Sequence, residues 1–302
     1  MKQLYCLFLF TAFAAPLQAQ DATLLNMLTD SLTANATPAL ITGTFKATHI
    51  VNMQTIEAPA RGALSFVIQH RFGQLNSGAY NLFGMDNATL RLGLDYGITD
   101  RLAVGIGRSS YLKTFDGYVK YKLLQQTDAK GHMPVSVSLL GTMSNYTQKI
   151  PEKDFLNFKY RTAYTGEILV ARKITSCLSI QLTPTYLHYN LVPTNSDKND
   201  LFVLGSGARM KITRRSSVNV EYNYLPANQV VSTTVHNSFS LGYDLETGGH
   251  VFQLIFTNSQ SMIQSQYLAQ TTGRWGNGDI YFGFNISRDF NLSKHAKGMS
   301  AQ

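Results

Sequence analysis

The chain has 302 residues and a formal net charge of +8, with 15% charged residues, 16 Tyr, 17 Phe and one Trp. Soluble domains usually carry about 25% charge, so this surface is short of it. Mean hydropathy is −0.09, and no stretch after the first twenty residues approaches the length of apolar helix that crosses a bilayer. The basic excess fits no ligand in particular, with lipid phosphates or an anionic solute as alternatives, and no nucleic-acid partner is expected.

Residues 1–20, MKQLYCLFLFTAFAAPLQAQ, place Lys2 ahead of an apolar run from Leu4 to Ala15 and a small-residue stretch. That is the layout of a secretory signal, cut after Ala19 or Gln20. Cleavage removes Lys2, taking the formal +8 to +7, and Cys6, so Cys177 is the only cysteine of the mature chain and no intramolecular disulfide can form. Residues 21–60 are expected to be an N-terminal helix and a linker or plug. Within them Leu24, Leu25, Leu28 and Leu32 fall at helical spacing over 21–34, behind Asp21 as a capping residue.

From residue 44 the period changes to two. In TLRLGLDYG (89–97), Leu90, Leu92, Leu94 and Tyr96 share one face, and Thr89, Arg91, Gly93 and Asp95 the other. Twelve such runs, from 61–72 to 278–290, each have about the length of a tilted membrane-crossing strand. DYGITDRLAV (95–104), ARKITSCLSI (171–180) and RMKITRRSSV (209–218) repeat an Ile-Thr step, read as the tight turn of a hairpin. The other connections are mostly longer. This alternation predicts an all-β, antiparallel transmembrane barrel of about 12 strands over 61–290, with a short N-terminal amphipathic helix and a tail at 291–302. Both barrel ends then lie on the short-turn, periplasmic side. Segment 44–56 also alternates, but a thirteenth strand would break the even count of bacterial barrels, so a plug, a periplasmic extension or half of an additional hairpin is expected there.

A soluble sandwich shows the same period. The secretory segment and the aromatics near strand ends favour the membrane; they are Tyr96, Tyr111, Phe115, Tyr186, Tyr189, Tyr222, Tyr224, Tyr243 and Phe290. A polar opposite face points the same way. Its candidate lumen residues are Arg71, Arg91, Asp95, Lys120, Lys122 and Glu221. They serve either as an anion-preferring lining or, with Asp116, as ion pairs filling a narrow bore. The loop 73–88 is rich in Gly, Asn and aromatics, and its Tyr80, Asn81, Phe83 and Asp86 are candidates for a lumen constriction or an external binding loop, with packing on the rim as the bland alternative.

The block from ARGALSFVIQHRFG through SGAYNLFGMD to YGITDRL and KYKLLQQ (60–126), preceded by TGTFKATHIVNMQTIE, resembles the DUF5777 family, uncharacterised β-barrels of Bacteroidetes-type bacteria. The resemblance runs from about residue 40 to the end and implies an outer-membrane barrel with no assigned substrate. The run GDIYFGFNISRDF, closing at Phe290, is similar to the terminal assembly signal of such barrels, although NLSKHAKGMSAQ comes after it.

For chemistry, HNS (His236 to Ser238) is the one suggestive local pattern, because a His and a Ser two apart on a strand share a face and the His can take the Ser proton. A solvated loop-to-strand junction is the preferred reading of so short a match, and no enzyme, cofactor or metal is expected. Cys177, in a short turn, is read as inert packing. The expected location is the outer membrane of a Gram-negative bacterium. Expected partners are membrane lipids, lipopolysaccharide, the outer-membrane assembly machinery and a periplasmic protein reached through residues 21–56. The leading functional expectation is a narrow passive channel for small hydrophilic solutes. A non-conducting scaffold, and a lipid hydrolase using Ser238 and His236, are the alternatives.

Overall fold

The computed structural model describes residues 39–128 and 133–292. The secretory segment 1–20, the expected helix at 21–34 and the tail beyond 292 lie outside the described residues. Twelve antiparallel strands succeed one another: β1 (Ala63–Gln74), β2 (Ala88–Gly97), β3 (Leu102–Ser109), β4 (Thr114–Leu124), β5 (Ser136–Tyr146), β6 (Thr162–Lys173), β7 (Leu178–Tyr189), β8 (Asp200–Lys211), β9 (Ser216–Tyr224), β10 (Ser238–Thr247), β11 (His250–Thr257) and β12 (Tyr281–Asn291). Each pairs with its neighbours in sequence, and β12 returns to β1, closing the barrel. Segment 44–56 adds no thirteenth strand.

The faces of these strands are inverted relative to a soluble protein. Leu90, Leu92 and Leu94 are 36%, 43% and 41% exposed, whereas Arg91 and Asp95 between them are 3% and 1% exposed. Leucines turned out and charges turned in are unfavourable in water and favourable in lipid. A soluble sandwich would reverse both, so the arrangement decides between the two readings of the alternation. Hydrocarbon also offers no partner to a free strand edge, so closure is required. At the seam the register runs from Ala63 opposite Asn291 to Arg71 opposite Gly283. Gly283 permits this approach: a Cβ there would lie 2.2 Å from the carbonyl oxygen of His70.

The Ile-Thr repeats are the tight turns β2–β3, β6–β7 and β8–β9. In each, a threonine hydroxyl accepts amides that the reversal leaves unpaired, as short polar turn residues do. Thr99 accepts Arg101 N–H and Leu102 N–H, Thr175 accepts Cys177 N–H and Leu178 N–H, and Thr213 accepts Arg215 N–H. Cys177 is exposed in its turn; so short a reversal has no interior in which to pack a thiol, contrary to the inert-packing expectation. Of the expected aromatic girdle, Tyr96, Phe115, Tyr186, Tyr222, Tyr224, Tyr243 and Phe290 face outward. Tyr189 departs from it. Its odd position on β7 turns it inward, and its hydroxyl donates to the carbonyl of Ser265 inside the barrel.

Candidate functional site: the barrel interior

Two chain segments occupy the space enclosed by the strands. The first, here called the strap, is residues 44–57. Its backbone reverses between Ile50 and Met53, where Ile50 N–H donates to Met53 O at 2.8 Å and Thr55 N–H to Thr48 O at 2.8 Å. The reversal leaves the amides of Val51, Asn52 and Met53 without strap partners, converging as an anion-binding concavity. Glu221 of β9 fills it: Oε2 accepts all three, at 3.1, 2.8 and 2.8 Å, while Oε1 accepts Asn223 Nδ2 at 3.1 Å.

Lys120 of β4 makes the complementary contact. Its ammonium has three protons to place, and Nζ donates to Gln54 Oε1 at 2.6 Å, Thr55 O at 2.9 Å and Glu57 O at 2.8 Å. Arg71 of β1 donates to Asn52 Oδ1 at 2.8 Å and to Asn285 Oδ1 at 3.0 Å. Gln181 of β7, Gln253 of β11 and Asn285 of β12 serve the strap carbonyls of Gln54, Ile50 and Val51. The strap is therefore bonded to β1, β4, β7, β9, β11 and β12, and its Lys46 pairs with Glu246 of β10 at 3.1 Å. Phe45, Ile50, Val51, Met53 and Ile56 also form an apolar cluster with Tyr118, Leu140, Leu169 and Ile255. Gly207 makes room for it, since a Cβ there would lie 2.3 Å from Ile50 Cδ1. His49 is buried in the strap, with Nδ1 3.1 Å from Thr48 Oγ1. Burial, then Arg91, Lys120 and Arg71, hold its imidazole well below its ordinary range.

The structure thus places Arg71, Arg91, Asp95, Lys120 and Glu221 inside the barrel and buried, with only Lys122 partly open, near the short-turn end. They do not line open water. Arg91 forks onto Asp116, with Nε 3.0 Å from Oδ1, and Nη1 donates to Gln69 Oε1 at 3.0 Å. Asp95 accepts Thr48 Oγ1–H at 3.4 Å. A second ion cluster, absent from the candidates that the sequence suggests, joins Arg209 to Glu246 at 2.9 Å and to Asp244 at 4.0 Å. Its signal was present in the alternation of β8 and β10, because each member sits at an inward position.

The second occupant comes from the long-loop end. The connection from β11 to β12 carries α1 (Gln264–Ala269), all of whose residues are buried. Tyr267, Leu268 and Ala269 pack on Ala163, Leu187, Leu201 and Val203. Ser265 shares a hydrogen bond of 2.8 Å with Ser144, and Gln266 Nε2 donates to Thr114 Oγ1 at 2.8 Å. Above α1 the loops enclose a vestibule of about 660 Å³, lined among others by Tyr146, Phe155, Tyr160, Leu191, Lys153 and Lys198. The constriction expected of loop 73–88 is not made there. Tyr80 is 97% exposed, Phe83 and Asp86 are exposed, and Asn81 is spent on Ser77 O. Left-handed backbone at Leu82 and Phe83 folds the loop on itself over the rim. The apolar residues Met262, Ile263, Tyr267 and Leu268 in the other long loop were the sequence signal for a segment that folds inward.

The His236 and Ser238 pattern does not form a dyad. Ser238 opens β10 and faces the interior, buried, with no hydrogen-bond partner for Oγ among the described residues. His236 precedes the strand, its N–H bonded to Thr271 O at 2.8 Å and its side chain in a rim groove beside Trp275. The shared-face argument needs both residues on the strand, and only one is.

No curated protein matches the chain. Among solved structures, the NanC porin is 11% identical with a TM-score of 0.46, over 76% of this chain and all of that one. An outer-membrane channel from Pseudomonas putida F1 is 13% identical with a TM-score of 0.45, over 78% and 97%. Outer membrane phospholipase A from Escherichia coli is 9% identical with a TM-score of 0.44, over 82% and 98%. Likenesses this distant, spread over channels and a hydrolase, decide nothing about activity. The model of DUF5777, a membrane-bound beta barrel domain, matches residues 45–290, so the chain belongs to that family.

Proposed function

We propose that the protein is an outer-membrane barrel acting as a narrow channel or transport barrel for small water-soluble solutes, closed in the state described and opened by displacement of the strap. One observation carries this reading: of the two segments that occupy the interior, the strap pairs with no strand and is held by side-chain hydrogen bonds from the wall, the Lys46–Glu246 ion pair and one small apolar cluster. Interactions of that kind can be exchanged for water one at a time, whereas a strand of the barrel cannot leave without opening an edge to lipid. The family match begins at Phe45 rather than at the first strand, which makes the strap part of the domain. Membrane lipids, lipopolysaccharide and the assembly machinery are the partners this reading requires, and a periplasmic protein engaging the chain ahead of the strap is one source of the displacing force.

The test is current across planar bilayers holding the mature protein or Glu221→Ala. The wild type is expected to be closed most of the time and the variant to conduct steadily. A folded variant with a released strap and no current would favour the second reading, a non-conducting scaffold in which the strap is simply core.

A further inference from the structure

We infer that the vestibule above α1 is a binding site for a small amphipathic anion, specifically a carboxylate on an aromatic body. Its volume, about 660 Å³, falls within the range of small-molecule sites, roughly 300–1,000 Å³. The wall is largely apolar and aromatic. Tyr146, Phe155 and Tyr160 come from β5 and the loop after it, and Leu191 from the β7–β8 loop. A collar built only to meet water would not hold such side chains around an empty space.

The charges of the vestibule are unequal. Asp197 is the one carboxylate among the lining residues, and it is already engaged by Val231 N–H at 2.7 Å, Ser232 N–H at 2.9 Å, and Thr194 N–H and Oγ1–H at 3.1 and 2.8 Å. Arg161 is spent on the carbonyls of Leu156 and Gln148 and lies over the Tyr146 ring. Lys153 and Lys198 remain: both are exposed, and neither ammonium has an ion pair among the described residues, although Glu152 and Asp154 flank Lys153 in the chain. They supply the charge that a carboxylate would meet.

The floor is closed by α1: Gln266 Nε2 donates to Thr114 Oγ1 at 2.8 Å and its Oε1 is sealed from solvent, so a ligand would be held by the walls and the lysines alone.

The inference rests on the channel reading only for passage of the bound solute through the barrel, because binding is measured with the strap in place. The full mature chain in lipid nanodiscs would be titrated with 3-phenylpropionate by saturation-transfer NMR. Its methyl ester, lacking the charge, is the comparator. Saturable binding is expected, weakened about tenfold for the ester. Lys153→Gln with Lys198→Gln should remove the preference for acid over ester. Leu191→Trp should block both compounds. Both lysines and Leu191 are surface positions, so a heat-modifiable barrel is expected in each case. No saturable binding to the wild type, or equal affinity for acid and ester, would overturn the inference while leaving the gate untouched. A strap that never opens would leave the site standing.

Discussion

Glu221 Oε2 accepts the backbone N–H of Asn52 at 2.8 Å, joining β9 to the strap across 169 positions of sequence. The same oxygen takes the amides on either side of Asn52, so one carboxylate holds the tip of the segment that fills the barrel. Glu221→Ala strands three buried donors. Hydrogen bonds to a charged group contribute about 1.5–3 kcal/mol each, so losing three should weaken strap docking by at least about 4.5 kcal/mol, more than roughly a thousandfold in its equilibrium. Hydrogen exchange at Val51, Asn52 and Met53 measures this, and protection equal to the wild type would contradict it.

Arg91→Ala should behave differently, although Arg91 is equally buried. Its guanidinium pairs with Asp116 and Gln69 on the wall and makes no hydrogen bond to the strap. Removing it leaves the Asp116 carboxylate uncompensated, at a cost of roughly 3–5 kcal/mol to the barrel. Urea unfolding in vesicles should show the loss while the bilayer current stays at the wild-type level. Steady current from Arg91→Ala would mean that the wall pairs, rather than the strap, close the lumen.

Acid should loosen the strap. His49 is held well below its free value of 6.5 by burial and by Arg91, Lys120 and Arg71, while the neighbouring Thr48 hydroxyl donates to Asp95. A released His49 therefore binds a proton that the docked one does not. Docking is at full strength above pH 6.5 and weakens as the pH falls below that value toward the depressed docked one. Open probability should rise as the pH falls below about 6.5, and His49→Gln should flatten that rise. An unchanged profile in His49→Gln would remove His49 as the source.

Gly283→Ala tests the seam. Its new Cβ would meet the His70 carbonyl at 2.2 Å, whereas one at Gly141 would meet nothing within 4 Å. Because the clash is with backbone, the seam must shift, at about 1–3 kcal/mol. Gly141→Ala should be close to neutral in the same unfolding assay. Equal stability of the two variants would contradict the seam geometry.

Much of the wall was legible because alternation encodes which side of a strand each residue faces. Leu90 and Arg91 announce lipid and lumen whatever their neighbours in space, and the Ile-Thr steps announce the turns. What the inward charges touch was not legible. Arg91 meets Asp116, and Arg209 meets Glu246, only because the strand register brings them level, and register does not show in a single strand. Segment 44–56 misleads for a related reason. Thr48 to Thr55 keeps the period of a strand, yet its apolar residues serve an interior cluster and its amides serve Glu221, a residue whose role depends on closure of all twelve strands. The β11–β12 loop carried a clearer sign in Met262, Ile263, Tyr267 and Leu268, apolar residues without strand alternation.

The most direct measurement is single-channel current from Glu221→Ala carrying Ile50→Cys and Gly207→Cys, with Cys177→Ser, recorded before and after reduction. Ile50 already reaches the position that a side chain on Gly207 would occupy, so oxidation should tie the strap to β8. A closed barrel when oxidised and steady current when reduced is the expected result. Equal current in both states would contradict the strap as the gate.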